Sequence, residues 1–147
     1  MNYLKLIRLQ NLAILAFMQI LFRYTFLKTA TYTPLTTDKN FLAMTHVQFC
    51  LLVLATVLIA AAGYIINDIM DQETDELANK RIIGKSISEK TAYNLYFGLN
   101  VLGVAIGFYV ANAVGKPSFS ALFIIVAALL YVYATTLKQI AIIGNIV

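Results

Sequence analysis

Four long apolar stretches separated by polar intervals set the rhythm of the chain, at about residues 9–27, 41–66, 92–113 and 119–136. Each is far longer than an ordinary strand and close to the roughly 20 residues that cross a bilayer as a helix. A backbone in lipid must satisfy its own hydrogen bonds, so each stretch is predicted to be a transmembrane helix. Another apolar run opens at Ile140 and reaches Val147. The predicted fold is an all-α membrane bundle of about four full helices plus the start of a fifth.

Composition strengthens that picture. The chain is 61% hydrophobic and 12% charged, with a mean hydropathy of +0.78, whereas soluble domains carry about a quarter charged residues. Too little polar surface remains to cover a globule in water. The first apolar run exceeds a signal-peptide core, contains Arg23 and is followed by no small-residue cleavage site, so it is expected to stay as a helix. The single cysteine, Cys50, excludes an internal disulfide and is expected as a small buried hydrophobe. A net charge of +4 fits basic residues on cytoplasmic loops better than a nucleic-acid surface. A cytoplasmic N-terminus puts Lys5, Arg8, Lys80, Arg81, Lys85, Lys90 and Lys138 inside, and Lys28, Lys39 and Lys116 outside. That asymmetry predicts an N-in orientation with a cytoplasmic loop at 67–90.

This loop holds more than half of the formal charges, and five of the seven acids fall between Asp68 and Glu76. If the preceding helix continues, Asn67, Asp71 and Asp75 lie at i, i+4 and i+8. They drift only about 40° per step and share one face, with Asp68 flanking it. Glu73 points roughly the opposite way. Carboxylates stacked a turn apart repel one another, and a divalent cation relieves the repulsion. Mg²⁺ takes oxygen ligands, keeps several waters and joins one or two carboxylates to substrate phosphates. Lys80, Arg81 and Lys85 are the nearby cations that could clamp a diphosphate. The competing reading is a solvated helix end, but a one-face acidic strip at a membrane boundary is costly unless it has a use.

Asn67-Asp68-x-x-Asp71-x-x-x-Asp75 resembles the first aspartate-rich motif of the UbiA superfamily of intramembrane prenyltransferases. Asn79-Lys80-Arg81 through Gly84 and Ser88 is similar to that family's Asn-Lys-Pro-x-Arg-Pro stretch, with both prolines replaced. Ile7-Arg8-Leu9-Gln10-Asn11 resembles the family's Arg-Pro-x-Asn element. Tyr133 and Lys138, with Gly144-Asn145, resemble its tyrosine–lysine element, one residue further apart. The resemblance implies half of a nine-helix fold around a lipid-open cavity. It implies Mg²⁺-dependent transfer of a prenyl group from its diphosphate to an aromatic or lipophilic acceptor. Asn67, Asp68, Asp71 and Asp75 would hold the metal. Arg8, Asn11, Lys80, Arg81, Tyr133 and Lys138 would contact the diphosphate or steady the allylic cation. The acceptor stays open among 4-hydroxybenzoate, a naphthoate, haem and a glycerol-phosphate ether lipid. The wording of the motifs is nearest the geranylgeranylglycerol-phosphate geranylgeranyltransferase branch.

Other residues have plainer readings. His46, the only histidine, is expected as an interfacial polar anchor. Arg23 is expected to snorkel to the outer interface. Ala60-Ala61-Ala62-Gly63 permits close helix contact. Tyr64 and Tyr133 stand out because each lies beside a polar motif. The rival functions are a cation-binding transport protein and a non-catalytic subunit whose partner carries further aspartates.

No acidic residue follows Glu89, so the second Asp-x-x-x-Asp motif of the family has no counterpart. The expected context is the N-terminal half of a roughly 300-residue enzyme, with the missing half as partner. These 147 residues alone are therefore expected to be inactive. In liposomes with prenyl diphosphate, Mg²⁺ and acceptors they should release no pyrophosphate; clear turnover would refute this.

Overall fold

The computed structural model describes residues 2–27, 44–72 and 82–137. They form five α-helices: α1 (Asn2–Leu6), α2 (Leu9–Phe22), α3 (His46–Met70), α4 (Glu89–Ala113) and α5 (Ser120–Val132). No strand occurs among the described residues, so the chain is an all-α membrane bundle. Wide π-type turns, Arg23–Leu27 and Tyr133–Leu137, continue α2 and α5. Three spans are long and apolar enough to cross a bilayer: His46–Met70, Glu89–Ala113 and Pro117–Thr136. At 1.5 Å rise per residue, the 25 residues of α3 or α4 exceed the roughly 30 Å hydrocarbon core. The start of a fifth span at Ile140 lies outside the described residues.

Local chemistry sets the helix ends. Thr45 and Gln48 form a capping box at the start of α3: the Thr45 hydroxyl accepts from the Gln48 amide, and the Gln48 side chain accepts from the Thr45 amide. Two otherwise unpaired backbone donors are thereby satisfied. Ser88 caps α4 by accepting from the Thr91 amide at 3.1 Å. Gly115, at φ +70°, ends α4 in the left-handed region that glycine tolerates, and Pro117 opens the short 3₁₀ turn before α5. The start of α3 lies later than the hydropathy pattern places it, because the cap at Thr45 decides it. Its end lies later too, so Asn67 and Asp68 belong to the helix.

α3 is the central element, packed on α2, α4 and α5. A core of Leu6, Ala62, Ile65, Ile66, Ile69, Ile83, Ile87 and Ala92 gathers at its C-terminal end. Ile83 and Ile87 come from the charged loop, which turns at Gly84 (φ +85°) and tucks both side chains under α3. At the other end Arg23 is buried rather than extended to the interface. It donates to the Met44 carbonyl at 2.8 Å and lies 4.4 Å above the Phe49 ring. Stem and head are held inside because α3 begins beside them. Cys50, expected to be buried, is exposed on α3, as an apolar side chain can be when it faces lipid.

Helices approach closely where glycine removes a side chain. A Cβ on Gly103 would fall 2.8 Å from Ile59 Cγ1 and 3.1 Å from the Ala55 carbonyl oxygen. A Cβ on Gly107 would run into the Phe123 ring, whereas one on Gly98 would meet nothing within 4 Å. Gly103→Ala and Gly107→Ala should each lose about 1–3 kcal/mol to overpacking. Gly98→Ala should be neutral or stabilising, because alanine favours the helix. Thermal unfolding in detergent, followed by far-UV circular dichroism, checks the contrast; equal losses at Gly98 and Gly107 would overturn it.

Candidate functional site

The chemistry-bearing residues converge where α3 ends, beside the break between α1 and α2. Ala60, Gly63, Tyr64 and Asn67 recur at helical spacing and form one stripe along α3. Small residues leave room there: Leu130 of α5 packs over Gly63, its Cδ1 only 2.9 Å from where a Cβ would sit. The stripe, Leu130, Tyr133 and Arg8 together line a cleft of about 370 Å³. Its walls are apolar at Ala60, Gly63 and Leu130, and polar groups edge it at Arg8, Asn67 and Tyr133.

Arg8 owes its place to an unusual backbone. It is the only non-glycine described residue at positive φ, with φ 51° and ψ 56°. For an L-residue that conformation costs roughly 1–2 kcal/mol. It breaks the helical path after Leu6, and the Arg8 carbonyl then accepts from the Asn11 amide at 2.8 Å to start α2. The side chain crosses to α3. Its Nη2 donates to Asp68 Oδ1 at 2.9 Å, and its Cζ lies 5.1 Å from the Tyr64 ring centroid. Tyr64 and Asp68 stand four residues apart on one helix face, so the guanidinium bridges a helical turn. The Asp68 side chain is only 12% exposed against 44% for Arg8. The carboxylate is thus the partner that depends on the ion pair, since a charge withdrawn from water needs a counter-charge. One turn on, Asn67 Nδ2 donates to Asp71 Oδ2 at 2.9 Å, and Asp71 caps α3.

The structure brings Arg8, Asn67 and Tyr133 onto one cleft, with Asp68 tied to Arg8 and Asp71 tied to Asn67. Asn11 is not among them. It lies exposed in a second groove with Leu4, Lys5, Leu9 and Gln10, which Arg8 also lines. The left-handed residue turns the chain between the two, which a linear motif cannot show. Asp75, Lys80, Arg81 and Lys138 lie outside the described residues, and Lys85 is exposed on its loop. Tyr64 was legible only as a neighbour of the motif; its spacing to Asp68 carried the signal that both could meet one partner. His46 sits at the opposite end of the bundle, 2.7 Å from the Tyr24 hydroxyl and stacked on its ring.

Among the described residues no three His, Cys, Asp or Glu side chains gather into a metal cluster. Asp68, Asp71 and the Asn67 amide offer hard oxygen donors at the end of α3, and of the three Asn67 lines the cleft together with Arg8. That set suits Mg²⁺, which needs only one or two carboxylates when phosphate oxygens and waters complete its shell.

The model of the UbiA prenyltransferase family matches residues 36–147. A curated relative, the digeranylgeranylglyceryl phosphate synthase of Sulfolobus acidocaldarius, is 32% identical over 148 aligned positions. The alignment covers 99% of this chain and 46% of the relative, so the chain spans about half the length of the relative it matches. No solved structure matches.

Substitutions at Arg8 separate its backbone from its side chain. Arg8→Gly removes the left-handed strain together with the ion pair, and so takes this counter-charge from Asp68, whose side chain is only 12% exposed. Arg8→Ala loses the same contacts yet keeps the strain, and should be roughly 1 kcal/mol less stable than Arg8→Gly. Equilibrium unfolding in detergent measures both, and a glycine variant weaker than the alanine variant would contradict the assignment.

Proposed function

The chain belongs to the UbiA prenyltransferase family, and from that premise we propose that it supplies the first aspartate-motif half of a Mg²⁺-dependent site. That site moves a prenyl group from its diphosphate to a lipophilic acceptor. The observation that carries the reading is the convergence of Arg8, Tyr64, Asn67 and Tyr133 from separate elements on one cleft, with Asp68 paired to Arg8 at its edge. A transport site would be expected near the bilayer midplane, often at a broken helix. Here the carboxylates stand at the end of an intact helix, which supports the enzymatic reading.

In this proposal Asn67, Asp68 and Asp71 hold the metal, joined by Asp75. Mg²⁺ bound there supplies charge neutralisation to the departing diphosphate. Arg8 is placed to bind diphosphate oxygens, with Lys80, Arg81 and Lys138 as further cations. Asn11, which faces a different groove, has the least support among the substrate contacts. Tyr133 offers its ring to the cleft, and the negative face of an aromatic ring suits a developing allylic cation. Ala60, Gly63 and Leu130 give an apolar wall against which a prenyl chain can lie and from which water is displaced. The acceptor is placed with the branch of the matched relative, as a glyceryl phosphate already carrying one geranylgeranyl chain. The site is oriented toward the cytoplasm, with the N-terminus on the same side, as the basic residues predict. The rest of the catalytic machinery, including a second aspartate motif, is assigned to the other half of the fold.

Calorimetry tests the reading without requiring turnover. The detergent-solubilised chain should bind geranylgeranyl diphosphate with Mg²⁺ present and lose that binding in EDTA. Asp68→Asn or Asp71→Asn should weaken it about tenfold or more. Binding that ignores both the metal and these substitutions would overturn the proposal.

A further inference from the structure

Arg8 has two partners on α3, and they are unlike in kind. Asp68 holds the guanidinium through one hydrogen bond of 2.9 Å; Tyr64 holds it through its ring, 5.1 Å away. If Asp68 serves a metal, the first partner is the one Arg8 must share or give up. A diphosphate presents more charge than one carboxylate and suits the forked guanidinium geometry. The ring contact competes with neither the metal nor the phosphate, because it draws on the π face of Tyr64 and takes up no carboxylate or phosphate oxygen. Tyr64 also belongs to the cleft stripe, so a guanidinium that stays on its ring stays at the cleft.

We propose that Tyr64 is the positioning residue of Arg8: its ring keeps the guanidinium at the cleft mouth while the edge donors pass from Asp68 to a diphosphate oxygen. This rests on the function proposed above and names how that site keeps its cation in place. A long arginine side chain released from its carboxylate would otherwise regain its rotamer freedom and have to be ordered again on binding. The left-handed backbone at Arg8 fixes the root of the side chain and Tyr64 fixes its head. Only the hydrogen bonds exchange.

The test is calorimetric titration of Mg²⁺ plus inorganic pyrophosphate into the full chain and its variants. Tyr64→Phe, which keeps the ring, should bind within about twofold of the parent. Tyr64→Leu and Tyr64→Met, which remove the ring, should bind roughly three- to tenfold more weakly. The decisive variants carry Arg8→Ala as well: if Tyr64 acts through Arg8, losing the ring in that background should cost less than about twofold more. Far-UV circular dichroism identifies any variant that fails to fold, and having two ring-less variants keeps the comparison available. Losses at Tyr64 that persist undiminished with Arg8→Ala would mean a merely structural role and would overturn the inference alone. A parent chain with no Mg²⁺-dependent pyrophosphate binding would overturn the proposed function and this inference with it.

Discussion

A carboxylate at the end of a membrane-crossing helix, largely shielded from water, demands a positive partner. Asp68 is that carboxylate, and most features around it follow from supplying the partner. α3 brings Asp68 to the rim of the apolar region; Arg8 reaches it only because the chain leaves helical geometry between α1 and α2. The left-handed backbone costs roughly 1–2 kcal/mol, and the fold carries that cost where it sets a cation beside a carboxylate withdrawn from water. Backbone strain at a cleft edge is one of the observations that support the binding role proposed for Arg8.

Packing gives that pair its setting. The small-residue run at the end of α3 lets α5 close in, so Leu130 and Tyr133 form the far wall. Deeper in the bundle, Gln19 donates to the Thr56 hydroxyl at 2.8 Å, a polar cross-link between α2 and α3. Such bonds are modest in energy but fix helix register in lipid, where apolar packing discriminates little. Register is what puts Arg8 opposite Tyr64 and Asp68 rather than a turn away.

The sequence shows the helices because transmembrane length is a crude, strong signal. It also shows that Asn67 and Asp71 stack, since four-residue spacing on a helix leaves no other arrangement, and the hydrogen bond between them follows. It does not show the left-handed residue: an arginine is no turn signal, so the separation of Asn11 from the cleft was hidden. Nor does it show Ile83 and Ile87 anchoring beneath α3, since the charges around them mark the segment as a solvated loop. Arg23 illustrates the same gap. Whether a membrane arginine extends to the interface or turns inward depends on whether a carbonyl and a ring are near enough, and here Met44, just before α3, and Phe49, in its first turn, supply them.

Arg8, just before the first apolar segment, and Arg23, within it, put the same side chain to two different uses. Arg23 has ordinary helical dihedrals, is buried, and spends its contacts on a backbone carbonyl and a phenyl ring that nothing else needs. Arg8 has strained dihedrals, is half-exposed, and holds a carboxylate at the rim of a cleft. Removing the first should loosen the join between α2 and α3, because the part-buried Met44 carbonyl would lose its donor. Removing the second leaves every helix its own hydrogen bonds and takes the positive charge from the cleft. Arg8 thus differs from Arg23 on backbone, exposure and partner alike, and that contrast supports the binding role proposed for it.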